Sequence, residues 1–490
     1  MIVLARNTLD DLPTNVQRPL YDSNHLIPGI VHIGVGNFHR AHQSWYLHRL
    51  MQRGCAHDWA IIGAGVRPCD NDMRSKLIKQ DYLTTLIELD PSGITAEVVG
   101  SILGYVAVEK GNQPLIEQMA AGEIRIVSLT VTESGYYLDP VSKAFDSYHP
   151  DIQNDAANPE TPQTAFGAIV AALKLRRDRG TGPFSVQSCD NLQGNGNILR
   201  QTVVSLARMS EPDLADWIDM NCSFPNSMVD CIVPATGPNE YALVKGLGVS
   251  DAVPVTHENF RQWVIEDDFC AGRPDWDKVG AIFSNYVHGF EAQKIRILNA
   301  GHQIIAAAAE IMGIETVAQA MEHETISAFF DKVEREEILP CIKDVPGMTP
   351  QDYLASTARR FANPAVVDTI RRIAFDGSSR HPGFLLPTVR DAITLGKPLD
   401  GLALVEATWA RMCLGTREDG SKIAPNDPIW DQLSTQASQA RTTPQRWLEM
   451  RTIYGDLDRV PRFANAFESW LGKIYKDGVE STLQLYLKDF

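Results

Sequence analysis

One short stretch restricts the fold of this 490-residue chain more than any other: Ile30-Val31-His32-Ile33 followed by Gly34-Val35-Gly36-Asn37-Phe38-His39-Arg40. The β-branched run reads as a strand. Arg40 to Met51, with Trp45, Leu47 and Leu50 among its apolar residues, reads as a helix. Strand, Gly-x-Gly turn and helix make the first half of a dinucleotide-binding βαβ unit. There the glycines let the backbone approach a pyrophosphate, and the helix N-terminus supplies N–H donors and the positive end of its dipole. The third glycine of the usual fingerprint is missing. Taken alone, a tight strand-to-helix turn with no ligand explains the stretch equally well.

The following residues add context. Trp59 to Gly65 reads as a second strand, with Asp70 close behind it. An acidic residue past the second strand binds the adenosine ribose hydroxyls and repels a 2′-phosphate, favouring NAD over NADP. Arg67 beside it is suited to the opposite preference. Residues 81–105 read as two strands joined by a turn at Pro91-Ser92-Gly93, an antiparallel insertion. Ile124 to Val131 is a strongly apolar strand that delivers Thr132 at its carboxyl end, where open α/β sheets bind ligands. Residues 138–163, rich in Pro, Asp and Asn, read as a surface loop, and Thr164 to Arg177 as a helix. Phe184 to Gln187 is a further strand, ending in Ser188-Cys189-Asp190-Asn191. Asn191 there can offer its amide to a substrate oxygen; stabilising its own turn is the commoner role. Met228 to Val233 reads as a strand with Asp230 inside an apolar run, either a satisfied core group or a site residue.

Beyond residue 290 the alternation stops, and helices are expected over 291–313, 324–338, 350–361, 364–375, 384–395, 401–414, 445–453 and 460–475, with 415–445 loop-rich. The expected architecture is an α/β Rossmann-type dinucleotide-binding domain with insertions over residues 1–285 and a mainly α-helical substrate domain over 286–490. Within the first of these helices, Glu291, Lys294, Asn299 and His302 interrupt an otherwise apolar pattern. At about 100° per residue, all four fall within an arc of roughly 140°. A buried lysine is costly unless paired or deprotonated, and a lysine tuned to about 7–8 serves as a general base at neutral pH. A structural Lys294–Glu291 ion pair accounts for the same spacing.

The 45 basic against 61 acidic residues give a formal charge of −16, which opposes binding to nucleic acid or anionic membranes. Eight scattered cysteines, with no CxxC pair, form neither a disulfide framework nor a zinc site. No apolar run approaches the roughly 18 residues of a membrane span, and no signal peptide is evident. A cytoplasmic protein is expected. His39 and His42, three apart, raise a metal-dependent hydrolase, but no carboxylate or third ligand lies at metal spacing nearby.

The Gly34-Val35-Gly36-x-Phe38-x-Arg40 turn, Asn191 and the Lys294-x4-Asn299-x2-His302 helix together resemble the polyol-specific long-chain dehydrogenases/reductases, whose best-known members are mannitol 2-dehydrogenases. The likeness runs through HIGVGNFHRAHQ, IRIVSLTVTESGY, SCDNLQGNG, FRQWVIEDDF, GRPDWDKVG and AFDGSSR, over essentially the whole length. It implies that Lys294 takes the hydroxyl proton as hydride leaves for NAD. Asn191 and Asn299 would stabilise the developing alkoxide, and Glu291 would relay the proton to solvent. His302, Asp230 and Arg372 would contact polyol hydroxyls, with Arg380 where a lysine commonly does so. Gly34, Gly36, Asn37, Phe38, His39, Arg40, Asp70 and Thr132 would hold NAD. No metal is implied, and a monomer is. Arg380, and Cys231 where the family usually has arginine, are departures that could shift preference toward a sugar acid such as mannonate, whose carboxylate suits a forked guanidinium. A mannonate/fructuronate oxidoreductase is therefore the alternative, and a catalytically silent NAD-binding protein the alternative of another class.

Overall fold

The protein is described by a computed structural model covering residues 1–139 and 144–488. It divides into two compact units, Met1–His288 and Gly289–Phe490.

The first unit is built on a five-stranded parallel sheet: β1 (Pro28–Ile33), β2 (Ala60–Ala64), β3 (Ile102–Tyr105), β4 (Ile126–Leu129) and β5 (Ser185–Ser188), in the order β3-β2-β1-β4-β5. Both faces of β1 are buried, as a parallel sheet requires. Ile30 joins one core with Tyr46, Leu47, Leu50, Trp263 and Trp276. Val31 and Ile33, on the other side of the pleat, join a second core with Val127, Leu129 and the helix Ala165–Arg179. The strand order reverses direction between β1 and β4, so their carboxyl ends flank the crevice where such sheets take ligands.

Several local expectations change. The helix expected from Arg40 to Met51 starts earlier and is broken: α1 (Asn37–Ala41) and α2 (Gln43–Gln52) meet at His42, whose φ of −120° and ψ of −92° are non-helical. The hairpin is present, Thr84–Asp90 pairing antiparallel with Gly93–Val99, but Ile102–Tyr105 leaves it to become β3. The loop expected over 138–163 contains a helix, Pro150–Ala157, opened by proline at its first turn; residues 140–143 of that loop lie outside the described residues. Met228 to Val233 shortens to Ser227–Asp230, paired antiparallel with Gln262–Ile265.

The second unit is helical around α3 (Ala300–Met312), buried on all sides except at its last residue, as an alanine- and isoleucine-rich helix must be. It packs on α4 (Asp400–Met412), which in turn packs on α5 (Pro461–Asp477). Residues 364–375 keep only the short helix Ile370–Ile373, and the loop-rich stretch 415–445 contains the helix Trp430–Ala440. Helices Val317–Glu322 and Val479–Lys488 were not anticipated by apolar periodicity. Among the described residues no helix is long and apolar enough to cross a membrane.

Candidate active site

At the exit of β1, Gly34 adopts φ +97°, and a Cβ there would lie 2.1 Å from the Thr130 carbonyl oxygen. Its N–H donates to Ala64 O at 2.9 Å, tying the turn to β2. Gly36 differs. It is exposed, caps α1 at an ordinary φ of −91°, and a Cβ on it would meet nothing closer than 4.0 Å. Nothing among the described residues requires glycine there; a ligand brought against the backbone would, which is the fit expected of a pyrophosphate.

The side chains after the turn hold it in place. Asn37 donates through Nδ2 to Pro234 O at 3.1 Å and Thr236 Oγ1 at 2.9 Å, and accepts from Arg40 Nη2 at 2.7 Å. Arg40 is buried and also donates to Gly36 O and Val253 O. His39 is buried and stacks on His32 with ring centroids 3.4 Å apart. Thus Arg40 and His39 turn their side chains into the unit's interior, and what this helix start offers outward is its backbone and the half-buried Asn37 and Phe38. His32 in turn meets Ser128 Oγ at 2.8 Å and Thr130 Oγ1 at 3.1 Å, a buried polar layer beneath the glycine turn that hydrophobic patterning does not reveal. His42 approaches Gln262 O at 3.1 Å and stacks on Phe38. No cluster of three or more metal-ligating side chains occurs among the described residues.

Asp70 opens the helix Asp70–Ile78, and its Oδ2 accepts from the N–H groups of Val66 and Arg67 at 3.0 and 2.9 Å. It therefore shapes the loop leaving β2. Gly65 sits against it; a Cβ on Gly65 would lie 2.3 Å from that of Asp70. Thr132, at the exit of β4, is exposed and has φ +68° and ψ +161°. Asn191 is exposed in the turn that follows β5, and Asp230 is the buried last residue of its strand.

In the second unit the expected α-helix over 291–313 has a different geometry. Residues Lys294–Asn299 form a π-helix between the α-helix Val287–Gln293 and α3. A π turn closes on i→i+5 bonds rather than i→i+4. Asn299, about 140° from Lys294 in a regular α-helix, is thereby turned back toward the face of the lysine. Glu291, Lys294, Asn299 and His302 are all buried, Lys294 at 9% and Asn299 at 8% exposure.

His302 stacks on Phe361 at 4.2 Å, and its Nε2 lies 3.9 Å from Asp368 Oδ2. Burial pushes the imidazole down to about 3, against the raising effect of Asp368; Arg372, Arg380 and Arg360 lower it further. Asp368 is clasped by Arg372 through both Nε and Nη2. Arg380 donates from Nη1 to the carbonyls of Ile373 at 2.7 Å and Arg372 at 3.2 Å. The structure thus joins His302 and Arg372 through Asp368, with Arg380 close enough to act on the His302 ring. Asp368 and Arg360 had escaped sequence reading because nothing in their spacing marks them.

Two family models match the chain: the mannitol dehydrogenase Rossmann domain over residues 28–278 and the mannitol dehydrogenase C-terminal domain over 286–475. The chain is 53% identical to a mannitol 2-dehydrogenase of Cereibacter sphaeroides, covering 96% of this chain and 99% of that one. It is 38% identical to a mannitol 2-dehydrogenase of Pyricularia oryzae, over 97% and 96%. Among solved structures, the Pseudomonas fluorescens mannitol 2-dehydrogenase in ternary complex with NAD and D-mannitol superposes with a TM-score of 0.90 at 38% identity, covering 100% of both chains. A substrate-free D-sorbitol dehydrogenase gives 0.89 at 34%, over 98% of this chain and 100% of that one. The resemblance rested on the Gly34–Arg40 turn, Asn191 and the helix of Lys294, Asn299 and His302, and with both models matched the chain belongs to the mannitol dehydrogenase family.

Proposed function

We propose that this protein is an NAD-dependent polyol dehydrogenase that oxidises a secondary hydroxyl of a sugar alcohol to a ketose, D-mannitol to D-fructose or a close relative such as D-arabinitol or D-sorbitol. The observation that carries the reading is the burial of Lys294 on a π turn that brings Asn299 toward its face. Removing an ammonium from water favours its neutral form, and a neutral amine accepts a proton from an alcohol. NAD held in the cradle would supply the hydride acceptor, and Lys294 Nζ takes the hydroxyl proton and passes it on through Glu291. Asn191 and Asn299 donate their amides to the oxygen as negative charge develops, a contribution typically worth about 10²–10³ in rate. His302, Asp230, Arg372 and Arg380 orient the remaining hydroxyls. Gly34, Gly36, Asn37, Phe38, His39, Arg40, Asp70 and Thr132 form the cofactor cradle, two of them (His39 and Arg40) as its buried support. On this reading residues 1–285 bind cofactor, residues 286–490 supply the base, the enzyme is a cytoplasmic monomer, and no metal takes part.

Lys294→Ala is expected to lower kcat by about 10²–10⁴ while NADH binding, followed by fluorescence titration, stays as in the wild type; wild-type turnover would remove lysine from the role of base. Activity after exhaustive chelation should be undiminished. A second reading, an aldonate oxidoreductase, is favoured by the three arginines that act on His302, since a carboxylate accepts bidentate pairs from such groups. A panel of D-mannitol, D-arabinitol, D-sorbitol and D-mannonate with NAD decides, and faster turnover of mannonate than of any neutral polyol would reverse the order. No turnover with any of them, despite NAD binding, would leave a silent binding protein.

A further inference from the structure

The exits of β4 and β5 are joined by one carboxylate. Asp190, two residues past β5 and 8% exposed, accepts from the Thr132 N–H at Oδ1 (2.9 Å) and from the Val131 N–H at Oδ2 (3.0 Å). The Tyr136 hydroxyl donates to the same Oδ2 at 2.7 Å and meets Ser188 Oγ at 2.5 Å. Asp190's own carbonyl accepts from the Leu192 N–H at 2.9 Å and from Asn195 Nδ2 at 3.1 Å, so Asn191 lies inside a turn anchored on both sides. Asn195 is itself buried and bound to Ser227. A carboxylate is an acceptor at both oxygens and suits three donors arriving together; an amide is not.

Thr132, the residue whose N–H it holds, stands at φ +68°, ψ +161°. That region is essentially reserved for glycine, and other residues keep it only when their surroundings over-determine it. The bonds of Asp190 to two successive amides are part of those surroundings, with the Gly135 N–H donating to the Thr132 carbonyl at 3.0 Å. The strained residue is exposed at the carboxyl end of β4, beside the reversal of strand order.

We propose that Asp190 is a positioning residue: it locks Thr132 in its glycine-like conformation and fixes the adjoining Asn191, making the exits of β4 and β5 one rigid corner of the cofactor cradle. The inference rests on the reading of the first unit as the cofactor-binding part. Asp190→Asn keeps the size of the side chain but sets an NH2 group against backbone donors. In that variant the Val131 and Thr132 amides, read by hydrogen exchange without cofactor, should exchange at least about tenfold faster. NADH affinity should fall by at least about tenfold. In a Thr132→Gly background, where the conformation carries no strain, Asp190→Asn should cost NADH affinity no more than about threefold, a coupling that a double-mutant cycle isolates. Wild-type exchange together with wild-type NADH affinity in Asp190→Asn would overturn the proposal, as would an equal loss in both backgrounds. Should that variant not fold, Tyr136→Phe removes one donor from the same oxygen and should also speed exchange of the two amides; unchanged exchange there overturns the proposal. Binding of NADH by the wild-type protein bears on the cofactor reading, whereas cofactor-free exchange bears on Asp190.

Discussion

Two glycines two residues apart answer to different physics. At Gly34 the backbone is left-handed and the space is filled by Thr130, so alanine collides with main chain. The left-handed backbone alone costs about 1–2 kcal/mol for an L-residue, and Gly34→Ala should lower the melting temperature or fail to fold. At Gly36 alanine meets no protein atom closer than 4.0 Å and adopts the existing φ freely. Gly36→Ala should therefore melt as the wild type does, yet bind NADH at least about tenfold more weakly, since the added methyl stands where a pyrophosphate approaches. Titration beside a melting curve checks both. A sequence shows the two glycines as equivalent; only the neighbours that fill or leave open the space beside each distinguish them.

Among the described residues, the helices of the second unit contain three π segments: Lys294–Asn299, Glu334–Ile338 and His381–Leu385. The first packs against both others. Apolar periodicity located these helices, as at 324–338 and 384–395, because burial repeats every three to four residues whatever the bond pattern. The widened turns were not legible, because one extra residue per turn leaves the hydrophobic pattern almost intact. The second segment carries a liability. Glu334 is fully buried, neither carboxyl oxygen has a hydrogen-bond partner among the described residues, and burial holds its carboxyl well above the usual range. Since the folded state binds this proton more tightly than the unfolded chain, stability is whole below about pH 4.5 and is lost as pH rises, by up to about 1.4 kcal/mol per pH unit. Glu334→Met, similar in length and without a charge to desolvate, should raise stability at pH 7 by about 1–4 kcal/mol and flatten that dependence in denaturant melts.

Across the whole molecule, buried histidines set the acid limit. Burial pushes His32, His48, His257 and His302 down to about 3, and holds His39 well below the usual imidazole range. In the unfolded chain each titrates near 6.5. The folded state therefore lacks protons that the unfolded state takes up. The stability these groups allow is fully present above pH 6.5 and is lost as pH falls toward about 3. Melting temperature should drop steeply below pH 6, and replacing His48 with glutamine should make the drop shallower; an unchanged slope would show that this ring is protonated in the fold.

By itself the sequence determined the two-part architecture, the Gly34–Gly36 turn and the helix bearing Lys294, because strand and helix periodicity, glycine spacing and a polar interruption of an apolar run are local properties of the chain. Only the tertiary structure decided which side chains share a neighbourhood. Asp190 reaching Thr132, Asp368 joining His302 to Arg372, and the π turn that reorients Asn299 all depend on how segments far apart in number, or one hydrogen-bond register apart, come together. Hydrogen bonds and charge pairs act over a few ångströms of space, and separation along the chain does not encode that distance.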